Sequence, residues 1–261
     1  MKLAISGAAG RMGQAVTRLA LGAGDVTIVG AVDAHDSKRL GTDLGETAGV
    51  GTLGVAIDKD VAAALLGAEV VIDFSAPASL RALLRAAAQA GVPVVSGTTG
   101  LDDEARTALE RAAERVAVLW APNMSIGVQV LRLLVAQAVE ALGPGYDVEI
   151  VETHHDAKVD APSGTALDLA RAVREVRPEL DLVHGRHGRS GPRPETQIGL
   201  HALRGGGVVG DHQIHLLGPL ERLELSHRAI HRDLFAEGAL RAARYLVGKP
   251  PGRYGLGDVI A

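Results

Sequence analysis

Cysteine is absent from this chain of 261 residues, which excludes disulfides, thiolate nucleophiles and cysteine-ligated zinc. Aromatic residues are scarce, with two Phe, three Tyr and one Trp. The apolar 47% must therefore build its core from Ala, Val, Leu and Ile. No uninterrupted apolar run approaches the roughly 18 to 20 residues of a membrane span, and Met1-Lys2-Leu3-Ala4-Ile5-Ser6-Gly7 lacks the apolar stretch of a signal peptide. No membrane partner is expected, and a cytoplasmic location is the default. Positive charge is not in excess either. A net charge of −4 excludes general attraction to nucleic acid, so any basic group that matters acts locally.

Glycine, by contrast, is abundant. Its 33 residues are too many for a helical bundle but suit a fold with many strand-to-helix turns. The first 120 residues alternate apolar strand-like runs (Leu3–Ser6, Thr27–Asp33, Val70–Phe74, Pro93–Ser96, Val116–Trp120) with amphipathic helical stretches. Met12, Ala15, Val16, Leu19 and Ala20 make one helical face, and Ala76–Gly91 and Asp102–Arg115 read as crossover helices. Nearly continuous apolar strands separated by helices predict a doubly wound parallel sheet.

After Pro122 the pattern changes. A longer helix runs from Ser125 to about Leu142 and is followed by strand-like runs at Asp147–Thr153, Gln197–Leu203, Val208–Leu216 and Glu221–Ser226. Gly205-Gly206-Gly207 and Gly218-Pro219 are of hairpin length, so a mostly antiparallel sheet is expected. Gly185–Pro194 reads as a mobile loop. Asp233–Val247 returns to helical spacing and is expected to dock back on the first domain. The predicted class is α/β: a Rossmann-like dinucleotide-binding domain over 1–125 and 229–261, and a smaller α+β domain over 126–228.

Gly7-Ala8-Ala9-Gly10-Arg11-Met12-Gly13 follows the first strand and opens a helix. This is where backbone N–H groups can meet a pyrophosphate. Its GxxGxxG spacing is weak evidence alone, but Asp33 ends the next strand, where a carboxylate can accept from ribose hydroxyls. Asp33 also repels the extra phosphate of NADP. Ala34 offers no compensating charge, although Lys38 and Arg39 follow closely, so NADH is expected to serve at least as well as NADPH. Gly97-Thr98-Thr99-Gly100 and Ala121-Pro122-Asn123-Met124 follow strand ends, where ligands bind in such sheets.

The segment His154-His155-Asp156-Ala157-Lys158-Val159-Asp160-Ala161-Pro162-Ser163-Gly164-Thr165 places two imidazoles and an ammonium before a helix start. Amides around Ser163, Gly164 and Thr165 can bind a carboxylate, with His155 and Lys158 supplying positive charge. His154 is then a proton donor and Lys158 its rival; the sequence does not rank them. A metal pair is the competing reading of the histidines, but a strand points neighbours to opposite faces. No metal site is expected.

These residues resemble those of the 4-hydroxy-tetrahydrodipicolinate reductases (dihydrodipicolinate reductases) of lysine and diaminopimelate biosynthesis. The resemblance is carried by Glu152 to Ala166, by Gly7–Gly13, Gly97–Gly100 and Ala121–Met124, and by Arg204-Gly205-Gly206, Gly210-Asp211-His212, His227-Arg228-Ala229 and Phe235-Ala236. It implies a two-domain, NADH- and/or NADPH-dependent enzyme acting on a small dicarboxylate heterocycle, assembled as a homotetramer through the second sheet, and it assigns substrate binding and oligomerisation to the 126–228 domain. It implies that His154 is the proton donor/acceptor, Lys158 a proton donor, and that His155, Gly164 and Thr165 hold substrate. It further implies that Gly7–Met12, Asp33, Gly97–Thr99 and Ala121–Met124 line the cofactor. Ala34 departs from the family, some members of which carry arginine there. Two rivals are weighed against this. A semialdehyde-type or amino-acid dehydrogenase is one, though the former needs a cysteine. A non-catalytic NAD(P) sensor is the other, and it would need no proton donor.

Overall fold

The computed structural model describes residues 1–261. In chain order the elements are β1 (Lys2–Ser6), α1 (Arg11–Gly22), β2 (Thr27–Val32), α2 (Leu44–Ala48), β3 (Ile57–Asp58), α3 (Val61–Ala64), β4 (Val70–Asp73), α4 (Pro77–Ala90), β5 (Val94–Ser96), α5 (Asp103–Ala113), β6 (Ala117–Trp120), α6 (Ile126–Leu142), β7 (Asp147–His154), α7 (Gly164–Val176), β8 (Asp181–His184), β9 (Gln197–Arg204), β10 (Gly210–Leu217), β11 (Arg222–Ala229), α8 (Asp233–Leu246), β12 (Gly252–Tyr254) and α9 (Leu256–Ile260). The chain forms two compact units, Met1–Ser125 with Asp233–Ala261, and Ile126–Arg232.

The first unit is a seven-stranded sheet in the order β12-β6-β5-β4-β1-β2-β3, parallel throughout. Its central strands are buried at nearly every position, as covering on both faces requires. On one side α4 and α5 bury Leu80, Leu83, Leu84, Ala105 and Leu109 against Val71, Val94 and Val118. Pro77 opens α4, and Gly91, at φ 71°, closes it in the left-handed conformation that L side chains avoid. Asp102 caps α5 by accepting from the Ala105 amide. α8 docks on α1 and the sheet through Ala236, Ala239, Ala242 and Ala243, small side chains that let helix and strand backbones approach closely. Strand order reverses between β1 and β4. This switch point, at the carboxyl ends of the strands, is where a crevice opens in such sheets.

The second unit is a mixed five-stranded sheet, β11-β10-β7-β9-β8. β10 pairs antiparallel with both β11 and β7, whereas β9 pairs parallel with β7 and β8. β9 and β10 are consecutive in sequence, but β7 lies between them, so Gly205–Gly207 closes no hairpin. The turn instead wraps the end of β7: the Gly205 amide donates to the His154 carbonyl, and the His155 amide to that of Val208. β7 alternates strictly, and Val148 and Ile150 face the core made by α6 and α7 with β9 and β10. Gly185–Pro194, predicted to be a mobile loop, is anchored near both ends. Arg193 donates to Glu149 at 2.9 Å and Asp147 at 2.6 Å, and Arg186 donates to Glu149 at 2.8 Å. No helix is long and apolar enough to cross a membrane.

Candidate active site

Gly7 turns the chain after β1 at φ 71°, and a Cβ on it would lie 2.5 Å from the Phe74 carbonyl oxygen. A Cβ on Gly13 would overlap the Gly7 carbonyl oxygen and come within 2.7 Å of the Ala8 Cα. The missing side chains let the turn, α1 and the end of β4 share one small space. Gly10 precedes α1 without any side-chain cap, so the first-turn amides of Arg11, Met12 and Gly13 have no helical partner. Asp33 reaches back across the turn: Oδ2 accepts from the Ala9 amide at 2.9 Å and Oδ1 from its neighbour Ala34 at 2.8 Å. Open helix-start amides behind a glycine turn, with a carboxylate fixed beside them, fit a dinucleotide's pyrophosphate and ribose.

At the switch point lies a residue that sequence reasoning overlooked. Asp73, fully buried at the end of β4, accepts from four hydroxyls: Ser6 at 2.8 Å and Ser75 at 2.6 Å on Oδ1, Ser96 at 2.8 Å and Thr98 at 2.7 Å on Oδ2. It thereby joins the ends of β1, β4 and β5. Thr98 then receives the Ser75 amide and offers its carbonyl to the Trp120 indole N–H at 2.8 Å. The Ala121 amide donates to the Ser96 carbonyl, and the Ser125 amide to Asn123 Oδ1. Gly7–Met12, Gly97–Thr99 and Ala121–Met124 therefore all lie at the carboxyl end of the parallel sheet. An acidic residue ending the apolar run Val70-Val71-Ile72 was the available signal.

In the second unit, Glu152 and His154 continue the buried face of β7, while His155 follows the strand and is half-buried. Strand alternation thus separates the two histidines. His154 Nδ1 lies 2.5 Å from Glu152 Oε2. Arg204 grips both oxygens of Glu152, at 2.8 and 2.7 Å, and the Ser163 amide donates to Oε1 at 3.0 Å. Burial alone would raise the Glu152 carboxyl; bonds from Arg204, His154 and the Ser163 amide outweigh it and lower the pKa. His212 stands edge-on to His154, ring centres 5.2 Å apart. Burial, reinforced by His154, pushes its pKa down to about 4, so it is neutral at pH 7.

Ser163 caps α7, its hydroxyl accepting from the Ala166 amide at 3.1 Å and lying 3.1 Å from His212 Nε2. Predicted as a substrate ligand, Ser163 is buried with its amide and hydroxyl committed inside the fold. Gly164 is exposed, and nothing stands within 4 Å of where a Cβ would be. Lys158 donates to Asp160 at 2.7 Å rather than to the histidines. Glu152, Arg204, Gly210 and His212 were not assigned roles from sequence. Glu152 carried a signal, since a residue two before His154 shares its strand face.

A doubly wound sheet with this glycine cradle, and an α+β unit centred on a carboxylate-held imidazole, define the class: a two-unit oxidoreductase built on the nucleotide-binding fold. The dihydrodipicolinate reductase N-terminal model matches residues 1–124 and its C-terminal model residues 127–260. The chain belongs to the dihydrodipicolinate reductase family. It is 47% identical to a 4-hydroxy-tetrahydrodipicolinate reductase of Anaeromyxobacter dehalogenans over 99% of this chain and 97% of that one. It is also 47% identical to one of Rubrobacter xylanophilus, over 100% and 98%. A dipicolinate-bound dihydrodipicolinate reductase from Paenisporosarcina superposes with a TM-score of 0.78 at 26% identity, covering 100% of this chain and 99% of that one.

Proposed function

We propose that this protein reduces 4-hydroxy-tetrahydrodipicolinate to tetrahydrodipicolinate with loss of water, as an NADH- and/or NADPH-dependent enzyme of lysine and diaminopimelate biosynthesis in the cytoplasm. The observation that carries this reading is the His154 cluster: an imidazole held by a buried carboxylate, with Lys158 and the start of α7 in the same segment, in a chain of this family.

The first unit is the cofactor domain. The Gly7–Met12 turn and helix start face the pyrophosphate, Asp33 accepts from the adenosine ribose, and Gly97–Thr99 and Ala121–Met124 line the rest. Reduced nicotinamide, when bound, supplies the hydride. The second unit holds the substrate: its carboxylates are taken by His155 and by Gly164 and Thr165 at the start of α7. Carbon 4 of the conjugated cyclic imine takes the hydride after or with loss of the 4-hydroxyl as water; the ring is then electron-rich, and a proton must follow. His154 through Nε2, or Lys158 through Nζ, supplies it from a fixed position. Positive charge beside the carboxylates and ring nitrogen stabilises the charge that moves into the ring.

The second unit also assembles the homotetramer. Its sheet is covered by α6 and α7 on one face, while Val151, Gln213 and His201 lie side by side on the other.

The test is an assay with freshly made 4-hydroxy-tetrahydrodipicolinate and NADH, followed at the nicotinamide absorbance. Wild-type protein should consume NADH; no turnover with either nicotinamide would end the assignment. His154→Ala and Lys158→Ala should each lower kcat by about 100-fold or more, within the range for general acid catalysis, while NADH affinity holds. Near-normal turnover in either variant would remove that residue from the proton step.

A further inference from the structure

Glu152 has four donors around it: His154 Nδ1 and Arg204 Nη1 on one oxygen, Arg204 Nη2 and the Ser163 amide on the other. These fill all the acceptor directions of a carboxylate. We propose that Glu152 is the positioning residue for His154: clamped by Arg204 and Ser163, its carboxylate holds the imidazole as the Nδ1–H tautomer and aims Nε2 into the space left open by Gly210. The inference rests on the reading of His154 as the proton carrier.

An ionised carboxylate only accepts hydrogen bonds, so the ring nitrogen facing it must donate. The two-pronged grip of Arg204 keeps Glu152 in that form inside a buried site. The Nδ1 proton is thereby tied up, and Nε2 becomes the one nitrogen of His154 that can gain and lose a proton during turnover. When Nε2 is protonated, Glu152 faces the imidazolium; when the proton leaves, the same ring remains in the same place.

The surroundings of Nε2 fit this assignment. A Cβ on Gly210 would stand 2.9 Å from it, so glycine there preserves the approach to that atom. His212 forms the neighbouring wall at 5.2 Å, and as a neutral ring it adds no rival charge. Ser163 hydroxyl, the other polar atom at hand, pairs with His212 and the Ala166 amide. Lys158 is held by Asp160. Arg204 also donates to the Asp160 carbonyl at 2.7 Å, so the same clamp braces the loop that carries Lys158.

The test uses full-length protein labelled with 15N-histidine, with the His154 signals assigned by their loss in His154→Gln. In wild type the neutral His154 should show the Nδ1–H pattern. In Glu152→Gln the side-chain amide can donate to Nδ1, and the pattern should shift toward Nε2–H. The kcat of that variant should fall by about 100-fold, with KM for NADH and binding of dipicolinate each changed less than about threefold. Wild-type His154 in the Nε2–H form, or a Glu152→Gln enzyme with full kcat, would overturn the proposal. Gly210→Ala gives a second arm that leaves the carboxylate clamp intact, so the tautomer should persist while kcat falls about tenfold or more. Full kcat in Gly210→Ala would likewise overturn it, even should Glu152→Gln fail to fold. Full turnover in His154→Ala would instead strike the proton-carrier reading itself, whereas an inactive His154→Ala beside a fully active Glu152→Gln would strike only the role given to Glu152.

Discussion

Asp73 meets four hydroxyls and no guanidinium or ammonium, an unusual setting for a fully buried carboxylate. Unpaired, such a group would be costly to bury; four O–H donors meet that cost locally. Asp73→Asn puts an NH2 where two hydroxyls donate, so one pair must rotate or lose its partner. It should cost about 1–3 kcal/mol in urea unfolding and weaken NADH binding, because three strand ends lose their common anchor. Unchanged affinity would mean that the anchor serves stability alone. Asp33 belongs to the same scale. Its carboxylate is fixed by two amides, with alanine next to it, so kcat/KM with NADH should at least equal that with NADPH. Ala34→Arg should raise kcat/KM with NADPH by about tenfold, an arginine being suited to the added phosphate. A strong NADPH preference in the wild type would contradict the argument.

At the scale of elements, the sequence reveals long periodic pieces and hides short ones. The strands and crossover helices of the first unit stand out because buried parallel strands are nearly all apolar and their helices are amphipathic. By contrast α2, β3 and α3 span only five, two and four residues, too few for a period to show. The order of β9, β7 and β10 was equally hidden. A three-glycine turn suits a hairpin, yet here it spans a strand supplied from 50 residues earlier in the chain, a choice set by pairing energy across the sheet. On β7, the carboxyl of Glu149 would be raised by burial, but bonds from Arg186, Arg193 and His201 hold it at about 2 against an ordinary value of 4.5. A lowered carboxylate stabilises the fold above the unfolded pKa and is lost as pH falls through the folded one. Stability of up to about 3 kcal/mol should therefore disappear between about pH 4.5 and pH 2. Urea unfolding of Glu149→Gln should show a flatter dependence over that window; an unchanged slope would assign the acid sensitivity elsewhere.

At the scale of the whole molecule, the proposed tetramer is assigned to the face of the second sheet opposite α6 and α7. Val151 sits near its middle, between Gln213 and His201. Val151→Lys should break the tetramer into smaller species in sedimentation velocity, since a desolvated ammonium without a partner opposes burial. A tetramer that survives would move the interface to another surface. The sequence by itself determined the α/β class, the glycine turn with Asp33, and the His154–Thr165 segment, because each is written in neighbouring residues or in a period. Only the tertiary structure decided that Glu152 and Arg204, 52 residues apart, share a clamp, and that Asp73 joins Ser6 from 67 residues away. Such pairs leave no local pattern. A buried charge finds its partner wherever folding brings a matching donor, and that depends on which strands lie side by side.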